Sequence, residues 1–154
     1  MPNWCSNTAV FRHTDPEMIK TIKEGIENHN LFEIFIPVEE GKDAASLWGT
    51  KWDICEPQII DSSDQYVEVV FQTAWSPPLE FYEMVENVHE IEVEALFYES
   101  GMAFMGGYKD GQTWDHPWPE TPEDYDNIPD ELDNAFGIHE YWWSEGIEEY
   151  AEGV

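Results

Sequence analysis

The spacing of apolar residues changes period several times along this chain, and that alternation limits the fold more than any single residue does. Trp4 to Phe11 runs Trp-Cys-Ser-Asn-Thr-Ala-Val-Phe, β-prone and mostly alternating, which predicts a strand. His13-Thr14-Asp15-Pro16-Glu17 then reads as a helix start with proline at the first helical position, and Met18, Ile19, Ile22 and Ile26 recur at helical spacing through about His29. Leu31 to Ile36 is a short apolar run stopped by Pro37, and Val38 to Leu47 is polar enough for loop or a short helical turn. Lys51 to Ile60 and Gln65 to Thr73 are β-rich runs separated by Asp61-Ser62-Ser63-Asp64, four turn formers that predict a hairpin. Ser76-Pro77-Pro78 opens a second helix with Phe81, Met84, Val85 and Val88 on its apolar face, ending near His89. Ile91 to Tyr98 alternates again, with Ile91, Val93, Ala95 and Phe97 on one side and Glu92, Glu94, Leu96 and Tyr98 on the other. Glu99-Ser100-Gly101 turns into a further strand, Met102 to Lys109.

The order β-α-β-β-α-β with an additional hairpin strand predicts an α+β fold, a ferredoxin-like split βαβ sandwich over residues 1–109, with two helices on one sheet face. Residues 110–154 form an acidic C-terminal extension of different character. Its opening, Trp114-Asp115-His116-Pro117-Trp118-Pro119, is interrupted by two prolines. Asp130 to Phe136 has room for one or two helical turns after Pro129, and Ile138 to Tyr150 has helical length. Trp118, Tyr125, Phe136, Tyr141, Trp142, Trp143 and Tyr150 have no use in a solvated tail, so the extension is expected to pack on the edge or other face of the same core.

Charge narrows the function. The 154 residues hold 34 Asp and Glu against 6 Lys and Arg, a net charge of -28. All six cations lie in the first 109 residues beside 20 acids, whereas the remaining 45 residues hold 14 acids and no Lys or Arg, so each part nets -14. Binding to a phosphate backbone works mainly through cations that release counterions, which excludes direct nucleic-acid binding. An anionic membrane repels the same charge, and no run approaches the roughly 18 to 20 apolar residues of a membrane span. The N-terminus, Met1-Pro2-Asn3-Trp4-Cys5, lacks the basic and apolar regions of a signal peptide, so the expected compartment is cytoplasmic. Cys5 and Cys55 are 50 residues apart and form no CxxC pair, which predicts buried thiols.

Motifs for chemistry are weak. With 34 carboxylates, pairs suited to acid–base work arise by chance. Asp124-Tyr125-Asp126 opens like a calcium loop, but Pro129 stands where the loop needs glycine and Ala135 where it needs glutamate. Gly101, Gly106, Gly107 and the Gly49-Thr50-Lys51 string lack phosphate-loop spacing, and His13, His29, His89, His116 and His139 have no zinc-ligand spacing with the cysteines. The expectation is a protein that catalyses nothing and binds no cofactor or metal.

Four strings carry a family likeness: Pro2-Asn3-Trp4-Cys5-Ser6-Asn7, Trp48-Gly49-Thr50-Lys51-Trp52-Asp53, Thr73-Ala74-Trp75-Ser76-Pro77-Pro78, and Tyr98-Glu99-Ser100-Gly101 with Phe104. Together they resemble the YubB-like family of phage and plasmid proteins with a ferredoxin-like domain. The resemblance covers roughly residues 1 to 109. It implies that fold and a mobile-element origin, and it supplies no catalytic residue. Trp48, Trp52 and Trp75 beside glycine and proline are expected as a core and corner signature, and Lys51 is expected to pair with Asp53 or a nearby Glu.

The resemblance and the charge together predict a phage-type inhibitor acting in the bacterial host cytoplasm: a DNA mimic that occupies the basic groove of a host nucleic-acid-binding protein, in an anti-restriction or anti-CRISPR role. Duplex DNA carries one charge per ~1.7 Å of axis, so a set of phosphates equal in number to the extension's acids spans about 24 Å, against a radius of gyration of about 15 Å for a chain of this length. The expected phosphate surrogates are Glu120, Glu123, Asp124, Asp126, Asp130, Glu131, Asp133, Glu145, Glu148 and Glu149. The neighbouring tryptophans are expected as scaffold. Two alternatives stay open, a non-enzymatic virion or assembly protein and a small enzyme or metal-binding protein that uses acidic residues. The oligomeric state, with a dimer among the options, is open as well.

Overall fold

The computed structural model describes residues 3–138, which form an α+β protein with one six-stranded antiparallel sheet and several short helices. The strands are β1 (Trp4–Arg12), β2 (Cys55–Ser62), β3 (Tyr66–Ala74), β4 (Glu92–Glu99), β5 (Phe104–Lys109) and β6 (Gln112–His116), in the order β2-β3-β1-β4-β5-β6. The helices are α1 (Pro16–Glu27), α2 (Leu31–Phe35), α3 (Ala44–Trp48), α4 (Leu79–His89), α5 (Pro122–Asp126) and α6 (Asp130–Phe136).

The central strands β3, β1 and β4 bury every second residue, as the alternation predicted. Ala9 faces Val69 on one side and Ala95 on the other, and Phe11 faces Val67 and Val93, so one sheet face is a wall of small and branched side chains. Onto it pack α1, through Ile19, Ile22 and Ile26, and α4, through Phe81, Tyr82 and Val85. Each such side chain contributes about 1.5–3 kcal/mol on burial. α1 begins where the sequence placed it: Asp15 accepts a hydrogen bond from the Glu17 amide at 3.0 Å, and Pro16 fills the first helical position. Val88, assigned to the apolar face of α4, is instead 65% exposed. It stands near the end of α4, beyond the wall that Phe81 and Val85 meet.

Between the first helix and the hairpin the chain departs from expectation in a connected way. Leu31 to Phe35 is helix α2, whose Phe32 and Glu33 amides donate to the two carboxylate oxygens of Asp53 at 3.0 and 2.9 Å. Holding Asp53 against α2 keeps Lys51-Trp52-Asp53 out of the sheet, so β2 starts at Cys55 instead of Lys51. The expected Lys51–Asp53 pair does not form. The Lys51 ammonium sits 5.6 Å from the centre of the Trp52 ring, and Trp52 itself is exposed, as are Trp75 and Trp4; of the three expected core tryptophans Trp48 alone is buried. Cys5 is buried as expected, whereas Cys55, at the start of edge strand β2, is half-buried.

The four strings singled out in the sequence, the first from Asn3 onward, meet at one end of the sheet. The buried polar side chains among the described residues are Asn7, Thr50, Thr73 and Glu99, one from each string. Asn7 donates to the Cys5 carbonyl at 3.0 Å and to Thr73 Oγ1 at 2.9 Å, Thr73 donates to the Ser76 carbonyl at 2.7 Å, and Thr50 donates to the Ala74 carbonyl at 2.9 Å. Glu99 accepts the Gly101 and Met102 amides at 2.6 and 2.8 Å and so shapes the β4–β5 turn. Most buried polar groups in a folded protein find such partners.

The sheet continues past residue 109. Asp110 and Gly111, with φ of +53° and +75°, form the tight turn between β5 and β6, and Gln112 to His116 pair with Met105 to Lys109. The prolines that were expected to disrupt this stretch come after the strand ends.

Candidate partner-binding face

The extension lies on the sheet face opposite α1 and α4, where Met105, Tyr125, Ile128, Leu132 and Ile138 form a second core with Leu96, Tyr98, Trp114, Trp118 and Phe136. The Tyr98 ring is stacked between Trp118, at 5.3 Å and 24°, and Phe136, at 5.7 Å and 22°. Trp114 lies flat over Gly107, where a Cβ would come 2.7 Å from its ring. The aromatics of the described extension are therefore scaffold, and the carboxylates stand on the outside of what they hold.

Of the ten expected phosphate surrogates, seven fall in the described residues, and Glu145, Glu148 and Glu149 lie outside them. Glu120, Glu123, Asp126, Asp130 and Glu131 are exposed. Asp124 has another task. Its Oδ2 accepts the Glu120 and Thr121 amides at 3.0 and 3.1 Å while Thr121 Oγ1 accepts the Asp124 amide, a capping box that starts α5. Those backbone donors hold its carboxyl below the usual carboxylate range. Asp124 is thus structural as much as displayed, and Asp133 is half-buried in α6.

The face is wider than the extension. Glu131 lines a cleft of about 400 Å³ together with Thr8, Val10, Glu68, Glu94 and Lys109, so a carboxylate of α6 stands beside outward carboxylates of β3 and β4. Glu94 is shared by Arg12, at 3.5 Å, and Lys109, at 3.6 Å, which ties up two of the six cations. A second cleft of about 580 Å³ opens between His116, Pro117, Trp118, Glu120, Asp124 and Asn127. Glu68 and Glu94 were not among the expected surrogates, although the alternation in β4 already assigned Glu94 to the side away from the first core. Among the described residues no three His, Cys, Asp or Glu side chains converge as a metal-holding group, and no helix is long and apolar enough to cross a membrane. Cys5 is buried, and desolvation pushes its thiol up to about 12, far from a nucleophile's range. Comparison with family models, with curated protein sequences and with solved structures gave no match to the chain.

Proposed function

We propose that this chain is a phage-type acidic inhibitor that presents a DNA-like face to the basic nucleic-acid-binding site of a host protein, a defence nuclease or its DNA-recognition subunit. The observation that carries the reading is the fixed setting of the acids. Exposed Glu120, Glu123, Asp126, Asp130 and Glu131 stand on and beside short helices pinned by a buried aromatic core, and Glu131 meets Glu68 and Glu94 of the sheet in one cleft. Carboxylates carried on a fixed backbone offer a partner a complementary potential without the cost of ordering the chain, which speeds encounter and makes affinity fall with salt.

The likeness to YubB-like phage and plasmid proteins supports the setting of this activity, and the ferredoxin-like reading goes with it. The order β2-β3-β1-β4, all antiparallel, with α1 and α4 on one face, supports that topology, and β5 and β6 extend it. The test is capture of host proteins at low and high salt followed by competition with duplex DNA. The expected result is a DNA-binding partner that is released by DNA and by salt, and that is lost when Glu120, Glu123, Asp126, Asp130 and Glu131 are changed together to Lys. A partner that binds DNA and this chain at the same time, or capture unchanged by the charge reversal, overturns the reading.

A further inference from the structure

Four segments at one end of the sheet carry no acid of their own, with Glu99 buried among them and Asp53 and Glu80 adjoining them. Asn3 to Asn7, Gly49 to Trp52, Thr73 to Pro78 and Ser100 to Phe104 meet there and contain no Asp or Glu, in a chain where 34 of 154 residues are acidic, while they do contain Lys51. Their proximity is set by backbone contacts: Trp4 pairs with Ala74, the Trp75 amide donates to the Asn3 carbonyl at 2.8 Å, and a Cβ on Gly101 would lie 2.8 Å from Asn3 Cγ. Trp4, Trp52, Trp75 and Met102 expose 39%, 44%, 44% and 63% of their surface at this end. Trp4 and Trp52 are already in contact, with ring centres 6.0 Å apart. Trp75 has a φ of +73°, a conformation that a bulky side chain adopts only where its surroundings impose it, and strain of this kind concentrates at functional positions.

We propose that this end is a self-association surface, on which two copies of the chain pack Trp4, Trp52, Trp75 and Met102 against one another about a two-fold axis. Charge selects the occupant. Two chains of -28 repel through an acidic face, and the end whose segments carry no acid and expose Lys51 is where they approach at a lower electrostatic cost. Area agrees. Taking a whole Trp as about 250 Å² and a whole Met as about 200 Å², the four exposed side chains offer about 450 Å² of apolar surface. Apolar atoms make up about 57% of an ordinary interface, so the patch corresponds to about 800 Å² per copy, the usual share of a stable one. A two-fold contact needs one patch that complements itself, and an aromatic cluster with Lys51 at its rim meets that condition. The inference does not rest on DNA mimicry.

Sedimentation of the full chain over a wide concentration range, at low and at high salt, tests it. A dimer is expected whose population rises with concentration and also with salt, because salt screens the repulsion between like-charged copies; a complex with a basic partner responds in the opposite direction. Trp75→Gly removes the ring while placing glycine where φ is positive, and Lys51→Glu adds an acid to each half of the contact. Both are expected to keep the circular dichroism of the parent and to weaken the dimer about tenfold or more. Val88→Ser, at the far end of α4, is expected to leave it unchanged. A monomer under every condition, or a dimer indifferent to both Trp75→Gly and Lys51→Glu, overturns the proposal.

Discussion

Replacing Gly106 by alanine tests whether the extension is built into the sheet or merely laid on it. Gly106 and Gly107 sit in β5 opposite Asp115 and Trp114 of β6. A Cβ on Gly106 would collide with the Trp114 carbonyl oxygen and lie 3.0 Å from both the Asp115 Cα and Phe97 Cζ, so β6 itself has to move. At Gly107 the obstacle is the Trp114 ring at 2.7 Å, which can tilt away. Overpacking costs about 1–3 kcal/mol, and each ladder hydrogen bond lost costs about 0.5–1.5 kcal/mol more, against a gain of about 0.4–1 kcal/mol from a less flexible unfolded chain. The expected losses are about 2–4 kcal/mol for Gly106→Ala and about 1–2 kcal/mol for Gly107→Ala. Urea unfolding followed by circular dichroism measures both. Amide exchange of Gln112 to His116 reports whether β6 has come away, since its protection is expected to drop in the first variant far more than in the second. A Gly106→Ala protein within about 0.5 kcal/mol of the parent, or one more stable than Gly107→Ala, would refute the close approach and with it the continuous sheet.

Two further outcomes follow from buried groups. Cys5 is buried with its thiol pushed up to about 12, while partial burial and the nearby Glu56 and Asp53 raise the more accessible Cys55 thiol, so a thiol reagent at mildly alkaline pH is expected to label Cys55 slowly in the folded protein and Cys5 only after denaturation; two rapid equivalents would contradict this. Burial pushes the Asp53 carboxyl above its ordinary value despite the Phe32, Glu33 and Ile54 amides, so folded Asp53 holds its proton to higher pH than unfolded Asp53 and its ionisation weakens the fold as pH rises through that window. The stability advantage of the parent over Asp53→Asn is therefore expected to grow as pH falls from neutral towards 4, measured as paired urea midpoints, and an advantage that grows with rising pH instead would reverse the assignment.

What the sequence made legible was the part of the fold that depends on local period. β1, α1, β3, α4 and β4 came out within a few residues because their apolar spacing matches the wall they build. The misses have separate causes. Asp110-Gly111 is a strong hairpin signal, yet it coincides with the point where the cations run out, and β6 (Gln112–His116) has one apolar residue, Trp114, and so no apolar alternation to mark it. α2 depends on Asp53, a residue 20 positions away, which no local pattern encodes. Glycine and proline beside Trp52 and Trp75 announced a corner but carried no information about which way the rings turn, and both turn outward. In the candidate face, Thr121-Pro122-Glu123-Asp124 already has the spacing of a capping box, which marks Asp124 as a helix start before it is counted as a displayed charge.

The four buried polar side chains have a consequence for how such a chain can change over time. Asn7, Thr50, Thr73 and Glu99 tie the strand ends together through bonds to specific backbone atoms, and losing one leaves an unsatisfied group inside at about 1–3 kcal/mol. Exposed residues such as Glu123, Asp126 and Asp130 touch no such network, and a substitution there is worth about 0.5 kcal/mol or less. Instructions for folding and the pattern of surface charge are thus written in different residues. Selection can redraw the second, one carboxylate at a time, without disturbing the first.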